Sequence, residues 1–173
     1  MIALYEHFPE LSVHERVNFT SILSNKKFQE RLMQIFLTLN QKTFTFEEID
    51  NPTIPNTTII FEVGIADGNS FTFIDKDEVK KVLSILRKET FNLMDFLCAI
   101  RYYRDYTSHK KPLRFDYYLT RFNFGEKIIE FLVFHERGPR YFTPQDIVEF
   151  LKDRINETST KRILKRIETH NST

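Results

Sequence analysis

The sequence has one cysteine, four glycines and no tryptophan among its 173 residues. The single cysteine, Cys98, cannot form an internal disulfide, so the fold cannot depend on one. Four glycines leave little room for the glycine-rich loops that bind nucleotide phosphates, and neither GxGxxG nor GxxxxGK[ST] occurs. These scarcities argue against a disulfide-stapled secreted domain and against a nucleotide-dependent enzyme.

Metal-ligand spacings and nucleophile motifs are also missing. Histidine occurs at positions 7, 14, 109, 135 and 170, without the His-x-His, His-x3-His or Cys-x2-Cys spacings of metal sites. His135 and Glu136 are neighbours, so on a strand their side chains point to opposite faces. His135 continues the apolar face of Ile129, Phe131 and Val133, which predicts a hydrogen-bonded structural histidine. We therefore predict no catalytic residues, no metal, no cofactor and no enzymatic activity.

No apolar run approaches the roughly 18 residues of a membrane span. The first residues, MIALYEHFPEL, carry acidic side chains where a signal peptide has positive ones. The length suits a single domain, 1–173, which would bury roughly 70% of its unfolded surface. We expect a soluble, cytoplasmic protein without membrane contact.

Aromatic residues are abundant, with 18 Phe and 7 Tyr, and they predict an aromatic-filled core. Four capping signals predict helix starts, at Ser12, Asn25, Asp75 and Thr143. The clearest is Thr143, because a proline and an acid follow it in the first turn. Two more helices are expected, one in FNLMDFLCAIRYY after Asn92, which is apolar nearly all round, and one at about 158–169.

Two β-hairpins are predicted at about 58–74 and 113–136, because both segments are rich in β-branched and aromatic residues around turn signals. The predicted fold is therefore α+β, with an antiparallel sheet made from the two hairpins, packed with helices, and a C-terminal helical pair. In this scheme residues 1–50 are helical, 58–136 hold the sheet and two helices, and 143–169 form basic helices.

Residues 113–136 can also be interpreted as helical. In that case EKIIEFLVFHERG, TPQDIVEFLKDRI and TSTKRILKRI are three successive helices, and 126–169 resembles the three-helix core of winged-helix DNA-binding domains. The resemblance implies a DNA-binding transcription regulator. It departs from that family in the strand-like composition of its first element.

The two parts of the chain differ in charge. Residues 1–100 carry 10 Lys/Arg against 14 Asp/Glu, whereas residues 101–173 carry 15 against 10. A basic C-terminal half favours an anionic partner. The candidate residues adjoin the predicted helix start at Pro144, open the second hairpin, or lie in paired Lys-Arg steps of the last predicted helix. They are Arg137, Arg140, Tyr141, Lys110, Lys111, Arg114, Lys161, Arg162, Lys165 and Arg166.

Three functions remain open from the sequence. The first is a non-enzymatic accessory or binding protein that engages nucleic acid or another anionic partner, such as an acidic protein surface, through the basic half. The second is the winged-helix regulator at 126–169. The third is a scaffold subunit of a protein complex without nucleic-acid contact.

Overall fold

A computed structural model describes residues 3–45, 56–105 and 110–167, without the side chains of Lys110 and Lys111. The described strands form one antiparallel sheet of nine strands, accompanied by three α-helices. The strands are β1 (Ala3–Leu4), β2 (Glu15–Ser21), β3 (Thr43–Thr45), β4 (Thr57–Asp67), β5 (Ser70–Phe73), β6 (Leu93–Asp105), β7 (Lys110–Phe124), β8 (Ile128–Arg137) and β9 (Leu164–Arg166). The helices are α1 (Asn25–Gln41), α2 (Lys76–Leu86) and α3 (Pro144–Glu157).

The strands lie in the order β1-β5-β4-β6-β7-β8-β2-β9, and β3 pairs with the first part of β4. Both predicted hairpins form, as β4–β5 and β7–β8. They do not pair with each other, because β6 lies between β4 and β7. The predicted α+β fold of two directly paired hairpins with a C-terminal helical pair is therefore wrong.

The helix predicted after Asn92 is the central strand β6. Its side chains are buried on both faces of the sheet: Phe96 and Cys98 on one face, Leu97 and Ala99 on the other. A strand buried on both faces and a central helix both give a nearly continuous apolar run, so composition could not separate them. The segment forms a strand because it pairs along nearly its whole length with β4 on one side and β7 on the other.

The helix predicted from Ser12 is also wrong. Ser12 ends a short 3-10 turn, and the following residues form β2 with Val17 and Phe19 buried in alternation. Pairing with β8 overrides the local capping signal.

The other predicted helix starts are confirmed. Ser24 caps α1, one position before the predicted Asn25, by accepting a hydrogen bond from the amide of Lys27. Asp75 caps α2, and Thr143 opens α3 in a reciprocal capping box. These segments have strong local signals and no competing strand partner.

The last predicted helix, 158–169, is not a helix over its described part. The Asn156 side chain accepts from the amides of Ile163 and Leu164 and turns the chain, so that β9 pairs with β2 at the sheet edge. Because 128–137 and 164–166 are strands, only α3 remains of the three helices that the winged-helix resemblance implies.

The helices cover one face of the sheet, called here the helix face, and the core lies between them. Phe36 of α1 packs against Phe96 at 4.6 Å between ring centroids, and Phe150 of α3 stacks on Phe61 at 5.2 Å. The aromatic-filled core is therefore confirmed. Among the described residues, no helix is both long and apolar enough to cross a membrane.

The opposite face is crossed by residues 5–14, called here the N-terminal strap. The strap leaves β1 at one side of the sheet and enters β2 near the other. On the way, the Tyr5 hydroxyl donates to Asp95. Arg121 forms an ion pair with Asp95 at 2.7 Å, and its guanidinium lies 4.7 Å from the ring centroid of Phe8. The strap thus covers part of this face.

Candidate anion-binding site

A buried carboxylate, Asp116, organises the turn between β8 and α3. Its side chain is 0% exposed on the helix face of β7. It accepts hydrogen bonds from the backbone amides of Arg140 at 2.7 Å and Tyr141 at 3.1 Å, and from the Tyr102 hydroxyl. The Nε2 atom of His135 lies 2.8 Å from its Oδ1 atom. We call these five residues the Asp116 cluster.

His135 is bonded at both ring nitrogens. Its Nδ1 accepts from Nε of Arg140 at 3.1 Å, which places the proton of a neutral ring on Nε2, facing Asp116. The Arg140 guanidinium also lies 2.9 Å from His14 Nε2. His135 is therefore a buried, hydrogen-bonded histidine, as its place on the apolar face of the strand predicted.

The turn itself requires unusual backbone conformations. Gly138 has φ +120°, and a Cβ atom there would lie 2.4 Å from Asp116 Oδ1 and 2.4 Å from the Phe115 carbonyl oxygen. Arg140 has φ +58°, a conformation held by the bond from its amide to Asp116. The glycine thus lets the turn approach β7 closely enough to cover the carboxylate.

The phenols beneath the turn are held in their protonated form. Burial and the nearby Asp116 raise the pKa of Tyr102 and of Tyr118 well above the ordinary tyrosine value. The Tyr118 hydroxyl donates to the carbonyl of Phe142, and the Tyr102 hydroxyl accepts from the amide of Phe142 at 3.1 Å. These contacts fix the entry to α3.

At the start of α3, two backbone amides that the sequence-based expectation left for an anion already have partners in the chain. The amide of Thr143 donates to the Asp146 carboxylate at 2.9 Å, and the amide of Asp146 donates to the Thr143 hydroxyl at 3.1 Å. Carboxylates of the chain itself therefore accept from amides that an external anion could have bound: Asp146 at the start of α3 and Asp116 in the preceding turn.

A notch lies at the end of β8, on the other side of this turn. β8 ends at Arg137, which pairs with Tyr117, whereas β7 continues back to Lys110. The segment 112–115 of β7 therefore has β6 on one side and no described strand on the other. This leaves a cavity of about 580 Å³ between β7 and the Gly138–Pro139 turn.

A β-bulge lies in β7 at the notch. Between the pairs Arg101–Phe115 and Tyr103–Pro112, β7 contains one residue more than β6. In a regular strand, neighbours such as Arg114 and Phe115 point to opposite faces. The cavity lies at the end of β8 and is open to residues from both faces, so both Arg114 and Phe115 line it.

The cavity is positively charged. Arg101, Arg114 and Arg137 line it, and no Asp or Glu is among the lining residues that the structure describes. Arg101 and Arg137 also border a neighbouring cavity that contains Glu6, Glu62 and Glu136. Arg101 is paired with Glu62 at 3.2 Å. For Arg114 and Arg137, the described part of the chain provides no carboxylate within salt-bridge distance. We call this cavity the arginine pocket.

Aromatic rings hold Arg137 in place. Its guanidinium carbon lies 4.3 Å from the ring centroid of Tyr117 and 5.8 Å from that of Phe115. The two rings contact each other edge-on at 4.9 Å. The stacked guanidinium keeps its N–H groups available, because a ring face accepts the cation without using those donors.

The structure separates the predicted site residues into three groups. Arg114 and Arg137 line the arginine pocket, whereas Arg140 and Tyr141 belong to the Asp116 cluster. Lys110 and Lys111 begin β7, but their side chains lie outside the described residues.

The third group lies elsewhere on the sheet. Lys161 and Arg162 are exposed in the loop after α3, and Lys165 and Arg166 lie on β9, three strands from β7. The predicted arrangement of these four on one helix face is wrong, since successive residues of a strand alternate between its faces. Arg166 instead lies 3.7 Å from Glu149.

Sequence reasoning missed Arg101, Tyr103, Phe115 and Tyr117. The alternation Arg101-Tyr-Tyr103 and Phe115-Asp-Tyr117 was visible in the sequence as a period of two. It would have placed all four side chains on one face if 93–105 had been interpreted as a strand. The helical interpretation of that segment hid the signal.

Within the described ranges, no group of three or more His, Cys, Asp or Glu side chains is arranged to hold a metal ion. Comparison with known proteins finds no match: no family model, no curated protein and no solved structure is significantly similar to this chain. Any functional assignment therefore depends on the geometry of the molecule itself.

Proposed function

We propose that the protein is a non-enzymatic accessory or binding protein that engages nucleic acid or another polyanionic partner through the arginine pocket. The observation that carries the proposal is the pocket's charge: three arginines and no Asp or Glu among the described lining residues. Arg114 and Arg137 have no described carboxylate partner, and a polyanionic partner would supply the opposite charge.

Arginine suits such a partner better than lysine. Its planar guanidinium can donate two parallel hydrogen bonds to a phosphate or a carboxylate. Arg137 is pre-oriented by its stacking on Tyr117, so less conformational entropy is lost when it binds.

A binding role also agrees with the state of the reactive side chains. Both ring nitrogens of His135 are hydrogen-bonded within the Asp116 cluster. Cys98 is buried, and burial raises the pKa of its thiol to about 12, so it is a poor nucleophile. A buried free thiol suits a reducing compartment, which is why we place the proposed function in the cytoplasm.

The test measures binding of fluorescently labelled polyanions by anisotropy at several salt concentrations. The probes are a single-stranded oligonucleotide, a duplex and polyglutamate. The pocket variant is Arg114→Gln plus Arg137→Gln. The matched control is Lys161→Gln plus Arg162→Gln, which removes the same charge from the exposed loop after α3.

We expect the pocket variant to bind at least one of these probes more weakly. If both arginines contact phosphates, the slope of log affinity against log salt should fall by about two. Equal losses in the control variant would assign binding to the basic C-terminal half in general and overturn the pocket. If no probe binds at low salt while a protein partner co-purifies, the protein is a scaffold subunit instead.

A further inference from the structure

One side chain of the arginine pocket would make no direct contact with a bound anion. Phe115 is 42% exposed, although it lies between charged side chains on the face of the sheet away from the helices. Exposed phenylalanine costs free energy in water. A phosphate or carboxylate would use Arg114 and Arg137 and leave this ring in solvent.

We propose that the arginine pocket binds single-stranded nucleic acid, with a phosphate at Arg114 and Arg137 and a base stacked on the Phe115 ring. The inference rests on the proposed function and specifies its partner. Proteins that bind single strands combine positive charge along the backbone with aromatic rings on which bases stack. The pocket contains both features within one cavity.

The two aromatic rings differ in what they can still bind. Tyr117 carries the Arg137 guanidinium at 4.3 Å from its centroid, so one face of this ring is occupied. Phe115 is farther from that guanidinium, at 5.8 Å, and meets Tyr117 edge-on. Phe115 is therefore the ring with space for a base.

Phosphate and base can be bound together because their partners are neighbours in the chain. Arg114 and Phe115 are adjacent in the chain at this bulge, and both line the cavity. Neighbouring side chains then present a cation and a ring side by side, as a nucleotide presents its phosphate and its base. A cavity of about 580 Å³ has room for a nucleotide.

The same geometry disfavours the other polyanions. A duplex keeps its base faces stacked inside the helix, so it can reach the arginines but not stack on Phe115. An acidic peptide has carboxylates for the arginines and no planar base for the ring. Both therefore gain only the electrostatic part of the interaction.

The experiment compares labelled probes of equal length on the full chain: a 12-nucleotide thymidine strand, a 12-unit abasic strand with the same phosphates, the corresponding duplex, and polyglutamate. We expect the thymidine strand to bind about five- to 100-fold more tightly than the abasic strand, as one stacked base provides. Ribose and deoxyribose versions of the strand distinguish RNA from DNA.

The decisive variant is Phe115→Leu, which should lower affinity for the thymidine strand to that of the abasic strand and leave abasic binding unchanged. Phe115→Tyr should retain the preference. The matched control is Phe73→Leu, which alters another partly exposed phenylalanine, 36% exposed, on β5. This control should leave the binding of both strands unchanged.

The outcomes separate the inference from the proposed function. If the abasic strand binds as tightly as the thymidine strand and both need Arg114 and Arg137, the pocket binds anions but not bases, and only the inference fails. Tighter binding of polyglutamate or of the duplex also overturns the inference. If none of the probes depends on Arg114 and Arg137, the proposed function fails as well.

Discussion

Arg140 of the Asp116 cluster and Arg137 of the arginine pocket lie on one short turn, and their side chains have different kinds of partner. Arg140 donates to His135 and lies against His14, and its amide is bonded to Asp116. Arg137, three residues earlier, is stacked on rings and has no described carboxylate partner. The contacts of the cluster stabilise the fold, whereas the charge of the pocket is the part that we propose for binding a ligand.

The largest expected effect comes from removing the carboxylate on the buried side. Asp116→Ala should lower the free energy of unfolding by about 3–5 kcal/mol, because two amides, a hydroxyl and an imidazole lose a buried partner. Urea denaturation measures the change. Arg114→Ala in the pocket should change stability by less than about 0.5 kcal/mol. Similar losses for both variants would contradict the division between the regions.

The turn that joins the two regions gives the next prediction. Gly138→Ala should cost about 1–3 kcal/mol for the backbone conformation alone, and more because the new Cβ would clash with Asp116 and the Phe115 carbonyl. Gly68→Ala is the matched comparison, since Gly68 also has positive φ, but a Cβ atom there would meet no atom within 4 Å. Thermal melting should show the smaller loss for Gly68. An equal loss of stability in the two variants would show that the close contact between Gly138 and β7 does not contribute to the effect.

The two arginines can be compared directly. Arg140→Gln should destabilise the fold by about 1 kcal/mol, because His135 Nδ1 loses its donor. Arg137→Gln should change stability by no more than about 0.5 kcal/mol, although we expect it to weaken polyanion binding. Paired denaturation and anisotropy measurements test both statements. A larger loss of stability for Arg137→Gln than for Arg140→Gln would contradict this assignment of roles.

The smallest effect concerns pH at the rim of the cluster. Burial, with Arg140 and His135 nearby, lowers the pKa of His14 below its ordinary 6.5. As the pH is lowered below 6.5, His14 binds a proton more readily in the unfolded chain than in the folded one. The free energy of unfolding therefore decreases until the pH reaches the lowered pKa of the folded state. His14→Asn should reduce this fall, as measured by denaturation between pH 8 and pH 5. If stability depends on pH in the same way in the variant and the wild type, His14 does not contribute to the pH dependence.

Local signals made part of this structure predictable. The hairpin at β4–β5 follows from the Asp67-Gly68 pair, and α3 follows from Thr143 and the residues after it. Segments whose state is set by distant partners were not predictable. β2 carries a capping signal at Ser12 and still pairs with β8, and β6 has a composition that fits a buried helix equally well.

The candidate site was predictable to a similar extent. The basic residues around the turn pointed to Arg114 and Arg137, and both line one pocket. The sequence could not separate Arg137 from Arg140, because the partner that distinguishes them, Asp116, lies more than twenty residues earlier on another strand. Arg101 was hidden for the same reason, since its place beside Phe115 depends on β6 being a strand.

The path of the N-terminal strap has a consequence for synthesis. β2 is made well before its partner strand β8, since Phe19 pairs with Ile129 and Val17 with Phe131. At about 5–20 residues per second, the roughly 110 intervening residues take several seconds to be made. During that interval the apolar side of β2 has no partner strand. The nascent chain therefore carries an unpaired strand edge until β8 emerges, and unpaired strand edges are sites of aggregation.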